Sequence, residues 1–333
     1  MILASANDSF LVIVLAQAVL YGTPILFAAL GELLAERSGV LNLGVEGMML
    51  VGAVMGFWAS QRAPGPTAVA LLLAVLTAAF AGLAMAAIVA FLCVSLRASQ
   101  IVTGLALTIF AGGLGLSSYL GNNLGLADVP PKHQFGQIDL FGLADVPVLG
   151  PILFHQSALV YASIILTGIV AFYLARTRWG LNVRAVGESP DAADTMGISV
   201  TRYRYAHVLA GGALAGVAGS CFTLSITPGW TSGDSLVGGA GWIAIALVIF
   251  SFWRPELCLI GAWLFGGLSG GLPAAMQARN YTAIPVFFRT PEFLNALPYL
   301  TTIAVLVIIA TGWAKRRVGA PAALGVPYVR EER

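Results

Sequence analysis

The chain has 333 residues, 58% of them hydrophobic and only 10% charged, where a soluble domain carries about 25% charged residues. This composition excludes a soluble globular protein and points to an all-α polytopic membrane protein. A net charge of +2 with no basic tract excludes nucleic acid as a partner.

A span needs about 20 apolar residues. The first ten residues have no basic region and no cleavage site, so the first apolar run reads as a retained span and not a removed leader. It covers 10–30, interrupted by Pro24. A charged, glycine-bearing piece follows at 31–47, then a short apolar run at 48–60. The second span is therefore expected to be broken, starting irregularly inside the membrane near Asn42. Further spans are expected at 67–95, 100–120, 157–174, 207–226, 238–252, 257–275 and 295–312. About nine helices result, with eight to ten tolerated by the length rule. A single transmembrane domain, 1–314, carries a loop at 121–156 rich in proline and glycine and a polar loop at 177–206, and a tail follows at 315–333. The three cysteines, Cys93, Cys221 and Cys258, fall in apolar runs without CxxC spacing. They read as lipid- or core-facing thiols, neither disulfides nor metal ligands.

Lysine and arginine set the orientation. With the C-terminus inside and nine spans counted back, thirteen of the seventeen basic residues fall inside and four outside. The N-terminus is then outside, and the loop at 177–206 faces the cytoplasm.

That loop carries a short helix with both ends marked. Ser189 suits the N-cap and Pro190 the first helical position. Asp191 and Asp194 place negative charge toward the N-terminal half, and Gly197 suits the left-handed C′ position. Two turns between long spans have too little apolar area to form a domain, so the segment reads as a part made to fit another protein.

The stretch 31–53 holds Glu32, Glu36 and Glu46, several glycines and Asn42. Asn42 and Glu46 share a face if helical, and the glycines disfavour a regular helix. Glu32, Glu36 and Arg37 read as headgroup residues on a turn. Asn42 and Glu46 fit either a buried structural role or a pathway lining. In the turn 228–234, Trp230 and Asp234, with Trp242 beyond it, could touch a ligand from outside or anchor the membrane interface. Gly52 with Gly56, Gly212 with Gly216 and Gly267 with Gly271 allow close helix packing. Gly267-Leu268-Ser269-Gly270-Gly271 fits the serine-nucleophile pattern, but His207 lies at a different depth, which argues against protease chemistry. Only two lysines exist and neither follows a glycine, so no phosphate-cradling loop of the G-x-x-x-x-G-K type is present.

GELLAERSGVLNLGVEGMMLVGA resembles the early signature of permease subunits of the ribose, nucleoside and branched-chain amino acid importer family, and most resembles the shorter nucleoside-type permease. GLNVRAVGESPDAADTMGI is similar to that family's cytoplasmic coupling segment, and GGAGWIAIALVIFSFWRPELCLIGAWLFGGL to its later span pair. The resemblance implies a multi-pass subunit of a bacterial plasma (inner) membrane ABC importer, without enzymatic activity or cofactor of its own. ATP and Mg²⁺ would be held by a separate ATPase subunit. A second homologous permease and a solute-binding protein or lipoprotein would be the other partners. Glu188, Ser189, Pro190, Ala192, Ala193 and Gly197 would sit in a groove of the ATPase. The implied solute is a nucleoside or nucleobase, with a simple sugar or amino acid as the alternative. From a different class, a secondary transporter would use Asn42 and Glu46 as an ion site, and a membrane enzyme would use Ser269.

Overall fold

A computed structural model describes residues 9–112, 115–140, 142–232, 236–278, 287, 290–310 and 319–329. The first helix, α1 (Phe10–Arg37), is 28 residues long, about 42 Å at 1.5 Å per residue. It starts on the Ser9 hydroxyl, which accepts from the Val12 amide. Pro24 lies inside it without ending it. The helix thus runs past the expected end at residue 30, through Glu32 and Glu36, to Arg37. From Gly22 to Glu36 every residue is buried. A helix apolar on all sides belongs in the core of a bundle, and α1 is that central helix.

Residues 38–44 are unwound, with Gly39 at φ +89°. α2 (Val45–Arg62) begins only after this break, as the glycines predicted. α3 (Thr67–Ala90) runs on through a π-helical turn at Phe91–Ser95. The fourth expected span is interrupted: α4 (Gln100–Ala111) stops at Gly112, and α5 (Leu116–Asn123) follows. The loop beyond it holds a two-stranded antiparallel hairpin, β1 (Gln137–Asp139) with β2 (His155–Ser157), in the register Gln137 opposite Ser157. Next come α6 (Ala158–Arg176), α7 (Arg178–Glu188), α8 (Pro190–Thr195) and α9 (Val200–Cys221), the last continued by a π-helical turn at Phe222–Ile226. The chain then forms α10 (Ala240–Phe250) and α11 (Pro255–Gly266). A π-helical turn at Gly267–Gly271, the fourth described when the one at Gly150–Phe154 ahead of β2 is included, leads into α12 (Leu272–Ala278), and α13 (Pro291–Ala310) follows. Among the described residues, six helical segments are long and apolar enough to cross a membrane.

Between apolar helices in lipid, close packing replaces the hydrophobic effect as the driving force, and the glycines show where. A Cβ on Gly52 would lie 2.4 Å from the Gly216 carbonyl oxygen, and one on Gly82 2.1 Å from that of Gly212. A Cβ on Gly219 would lie 1.8 Å from the Met49 carbonyl oxygen, and one on Gly271 2.6 Å from that of Val14. α9 is pressed by this means between α1, α2 and α3. The expected packing role of the small-residue pairs is realised between helices, with Gly52 on Gly216.

The tail is more than a polar end. Residues 319–329 fold back as a strap at the end of the bundle that carries Arg37. The Ala323 amide donates to the Gly187 carbonyl at 2.9 Å, and the Gly325 amide to the Gly39 carbonyl at 3.2 Å. Arg204, 1% exposed, donates through Nη1 to the Val326 carbonyl at 3.0 Å. Tyr328 packs on Val186, Ala193 and Val200. One short segment therefore joins the break after α1, the end of α7 and the start of α9.

Candidate functional site

Three structures organise the bundle along its axis. The first is the break at 38–44. Unwound backbone at membrane depth must find partners within the protein, and here side chains supply them. The Leu41 amide donates to Gln100 Oε1 at 2.7 Å, the Asn42 amide to Glu32 Oε1 at 2.8 Å, and the Gly44 amide to Asn42 Oδ1 at 3.1 Å. The Thr108 hydroxyl donates to the Leu43 carbonyl at 2.9 Å. Glu36 accepts from the Trp253 indole, and Arg37 Nη2 donates to the Trp253 carbonyl at 2.8 Å. The expectation that Glu32 and Glu36 sit among headgroups is therefore corrected. Both are 1% exposed, because α1 continues to Arg37 and carries them into contact with the break and with Trp253.

Glu46 follows the same logic. Its Oε1 accepts from the Gly239 amide at 3.0 Å and its Oε2 from the Gly241 amide at 2.6 Å. A helix N-terminus leaves amides unpaired and carries partial positive charge. Glu46 of α2 therefore caps α10, with Gly239 at φ +81° making the turn into it. Asn42 and Glu46 thus both accept from backbone amides of the protein.

The second feature is a cavity of about 800 Å³. It reaches Ile25, 15 residues into α1, which is about 22 Å of helical rise. Its walls come from α1 (Tyr21, Ile25), the π-helical end of α9 (Phe222, Ile226) and the start of α10 (Ala240, Ile243), together with Ser269. Two of the four π-helical turns among the described residues border it, in keeping with the frequent occurrence of such turns at functional sites. Trp230 lines the cavity but is 5% exposed, its ring pressed on Gly121, so it is a wall and not an anchor in the lipid interface. Trp242 is 38% exposed and does not line this cavity. Asp234 lies outside the described residues. Asp128 is the one charged residue among the described lining groups. Tyr21 and Ser269 are polar lining residues that were not expected on a pathway; the available signal was a tyrosine and a serine in otherwise apolar spans.

The third feature is the α7–α8 elbow. Thr177 caps α7 by accepting from the Gly180 amide at 3.0 Å. Pro190 opens α8, and Gly197 ends the segment at φ +82°. Ser189 occupies the N-cap position, but its side chain makes no capping bond, which corrects the side-chain cap expected of it. Glu188, Ser189, Ala192 and Gly197 are exposed, Pro190 is half-buried, and Ala193 is buried as the anchor. The helical stretch Arg178–Glu188 ahead of the elbow was not expected.

Ser269 spends its proton on the Phe265 carbonyl at 2.8 Å. The two ring nitrogens of His207 are engaged elsewhere, Nδ1–H with the Tyr203 carbonyl at 2.7 Å and Nε2 with the Tyr173 hydroxyl at 2.9 Å. Neither residue serves the other, so no nucleophile and base are assembled. Cys93, Cys221 and Cys258 are buried and free.

A helical bundle with several membrane-crossing segments, an unwound span start held by buried polar groups and a cavity to mid-depth defines a multi-pass transport protein. Residues 14–310 match the model of the family described as branched-chain amino acid transport system, permease component. Among relatives, the chain is 38% identical to the protein named Putative glucose ABC transporter permease protein TsgC13 of Haloferax volcanii, over 93% of this chain and 95% of that one. It is 35% identical to guanosine ABC transporter permease protein NupQ of Bacillus subtilis and 33% identical to nucleoside ABC transporter permease protein NupC of Lactococcus lactis. In both cases the match covers 96% of this chain and 98% of the relative. The chain belongs to this family of ABC transporter permease components and is a multi-pass plasma-membrane protein.

Proposed function

We propose that this permease forms half of the pathway of an ATP-driven importer for a nucleoside or nucleobase, working by alternating access. The carrying observation is the mid-depth cavity with mainly apolar walls and few polar groups, in a chain similar along its length to nucleoside permeases. Such a site suits a flat, uncharged solute. The 38% identity to the Haloferax relative favours a simple sugar as the second reading.

In this proposal residues 1–314 are the permease domain and span the membrane nine times. The six long segments together with α2, α10 and α13 support that count. The N-terminus and the loop 121–156 are outside, while the loop 177–206 and the tail are cytoplasmic. A separate ATPase subunit binds ATP and Mg²⁺ and grips the elbow at Glu188, Ser189, Pro190, Ala192, Ala193 and Gly197. A second permease completes the path, and a solute-binding protein or lipoprotein delivers the solute.

The test is uptake of radiolabelled guanosine and glucose by vesicles holding the full complex. ATP-dependent uptake that falls in Gly197→Val, with the complex still assembled, is the expected result. Uptake by this chain alone, driven by an ion gradient and indifferent to ATP, would refute the proposal.

A further inference from the structure

The cavity holds a polar pair that separates what a solute must offer from what it must lack. Tyr21 lies 11 residues into α1 and is half-buried. Its ring is fixed from below: a Cβ on Gly270 would lie 2.0 Å from the ring, so only glycine leaves room for it. Among the described residues no group bonds the Tyr21 hydroxyl. Ser269, next to Gly270, is exposed although it stands 14 residues after the first residue of α11. At that depth its exposure is to the cavity it lines.

The two hydroxyls are not equivalent. Tyr21 retains its proton and can donate. Ser269 already donates to the Phe265 carbonyl, in the back-bonding pattern of a helical serine. It therefore offers the solute only its lone pairs. Around the pair the wall is apolar, with Ile25, Phe222 and Ile243. Asp128 is the one charged group among the described lining residues, so an anionic solute would meet no opposite charge there, and an unpaired charge in such surroundings is costly.

Resting on the pathway reading above, we infer that Tyr21 and Ser269 are solute-contacting residues. They take the polar edge of an uncharged solute, Tyr21 donating to an acceptor on it and Ser269 accepting from a donor beside it. Gly270 positions Tyr21 without touching the solute.

The three native cysteines of this chain are buried, so a thiol introduced by Ser269→Cys is read as the labelling gained over the unsubstituted complex. In the full complex, Ser269→Cys should be modified by a water-soluble methanethiosulfonate reagent. Guanosine delivered by its binding protein should slow that modification severalfold. Adding Tyr21→Phe, which removes one hydroxyl from a neutral hydrogen bond, should weaken the protection about three- to tenfold. Gly270→Ala should weaken it as well, by displacing the ring. Glucose replaces guanosine as the probe if only glucose is taken up.

A Ser269→Cys complex that resists the reagent, or reacts equally fast with and without solute while uptake proceeds, would overturn the inference and leave the pathway reading standing. Protection unaltered by Tyr21→Phe would overturn the part assigned to Tyr21. A wild-type complex that moves neither guanosine nor glucose would instead sink the pathway reading.

Discussion

Replacing Glu46 tests how the break, the cap and the cavity are joined. Its carboxylate accepts two amides at the start of α10, from Gly239 at 3.0 Å and Gly241 at 2.6 Å. In Glu46→Ala both amides lose this acceptor, and a buried unpaired donor costs about 1–3 kcal/mol. The charge that opposes the helix dipole is lost too, worth up to about 2 kcal/mol in partly buried geometry. Together the first turn of α10 should lose about 3–5 kcal/mol. Glu46→Gln keeps one acceptor oxygen but turns an amide donor toward the second N–H, so about half the loss is expected. Each 1.4 kcal/mol is a factor of ten. Amide hydrogen exchange over residues 239–243, followed by mass spectrometry on the purified complex, should therefore quicken about a hundredfold or more in Glu46→Ala and about tenfold in Glu46→Gln. Val237, Gly238 and Ala240 line the cavity, so uptake should fall in the same order. Unchanged exchange at 239–243 in Glu46→Ala would refute the capping argument, whatever happened to transport.

Removing the strap with a stop codon at Gly319 takes the acceptor from buried Arg204 and uncovers Val186, Ala193 and Val200. Faster proteolysis within 189–199 and a Tm several degrees lower are expected, and a chain of unchanged protease resistance would contradict the strap's role. Gly219→Ala should abolish accumulation of folded protein, since its Cβ would lie 1.8 Å from the Met49 carbonyl oxygen. Gly168→Ala, with nothing within 4 Å, should be neutral or gain up to about 1 kcal/mol from helix propensity. Expression yield and Tm of the two variants check this contrast. Trp253→Phe keeps the packing but deletes the indole donor to Glu36. It should cost about 1–3 kcal/mol, read as a lower unfolding temperature in detergent.

The order of apolar runs, the break near Asn42 and the left-handed glycine closing the elbow were legible in the sequence. Each depends on local properties: hydropathy over about 20 residues, glycine's backbone freedom and proline's fixed φ. The membrane class follows from the same source, since a chain this apolar cannot cover itself in water. What one dimension could not assign was the side each polar residue faces. Lipid is as apolar as the inside of the bundle, so hydropathy alone does not separate a residue facing a tail from one facing another helix. Glu46 finds its amides 193 and 195 positions away, and Glu36 finds Trp253 217 away. The strap reaches Gly39 from Gly325, 286 positions on, and Gly187 from Ala323, 136 positions on. The cavity exists only because α1, the end of α9, the start of α10 and the turn at Ser269 converge. Those partnerships arise when glycine-lined backbones close to within van der Waals contact, and that closure is a property of the assembled bundle and of no single stretch.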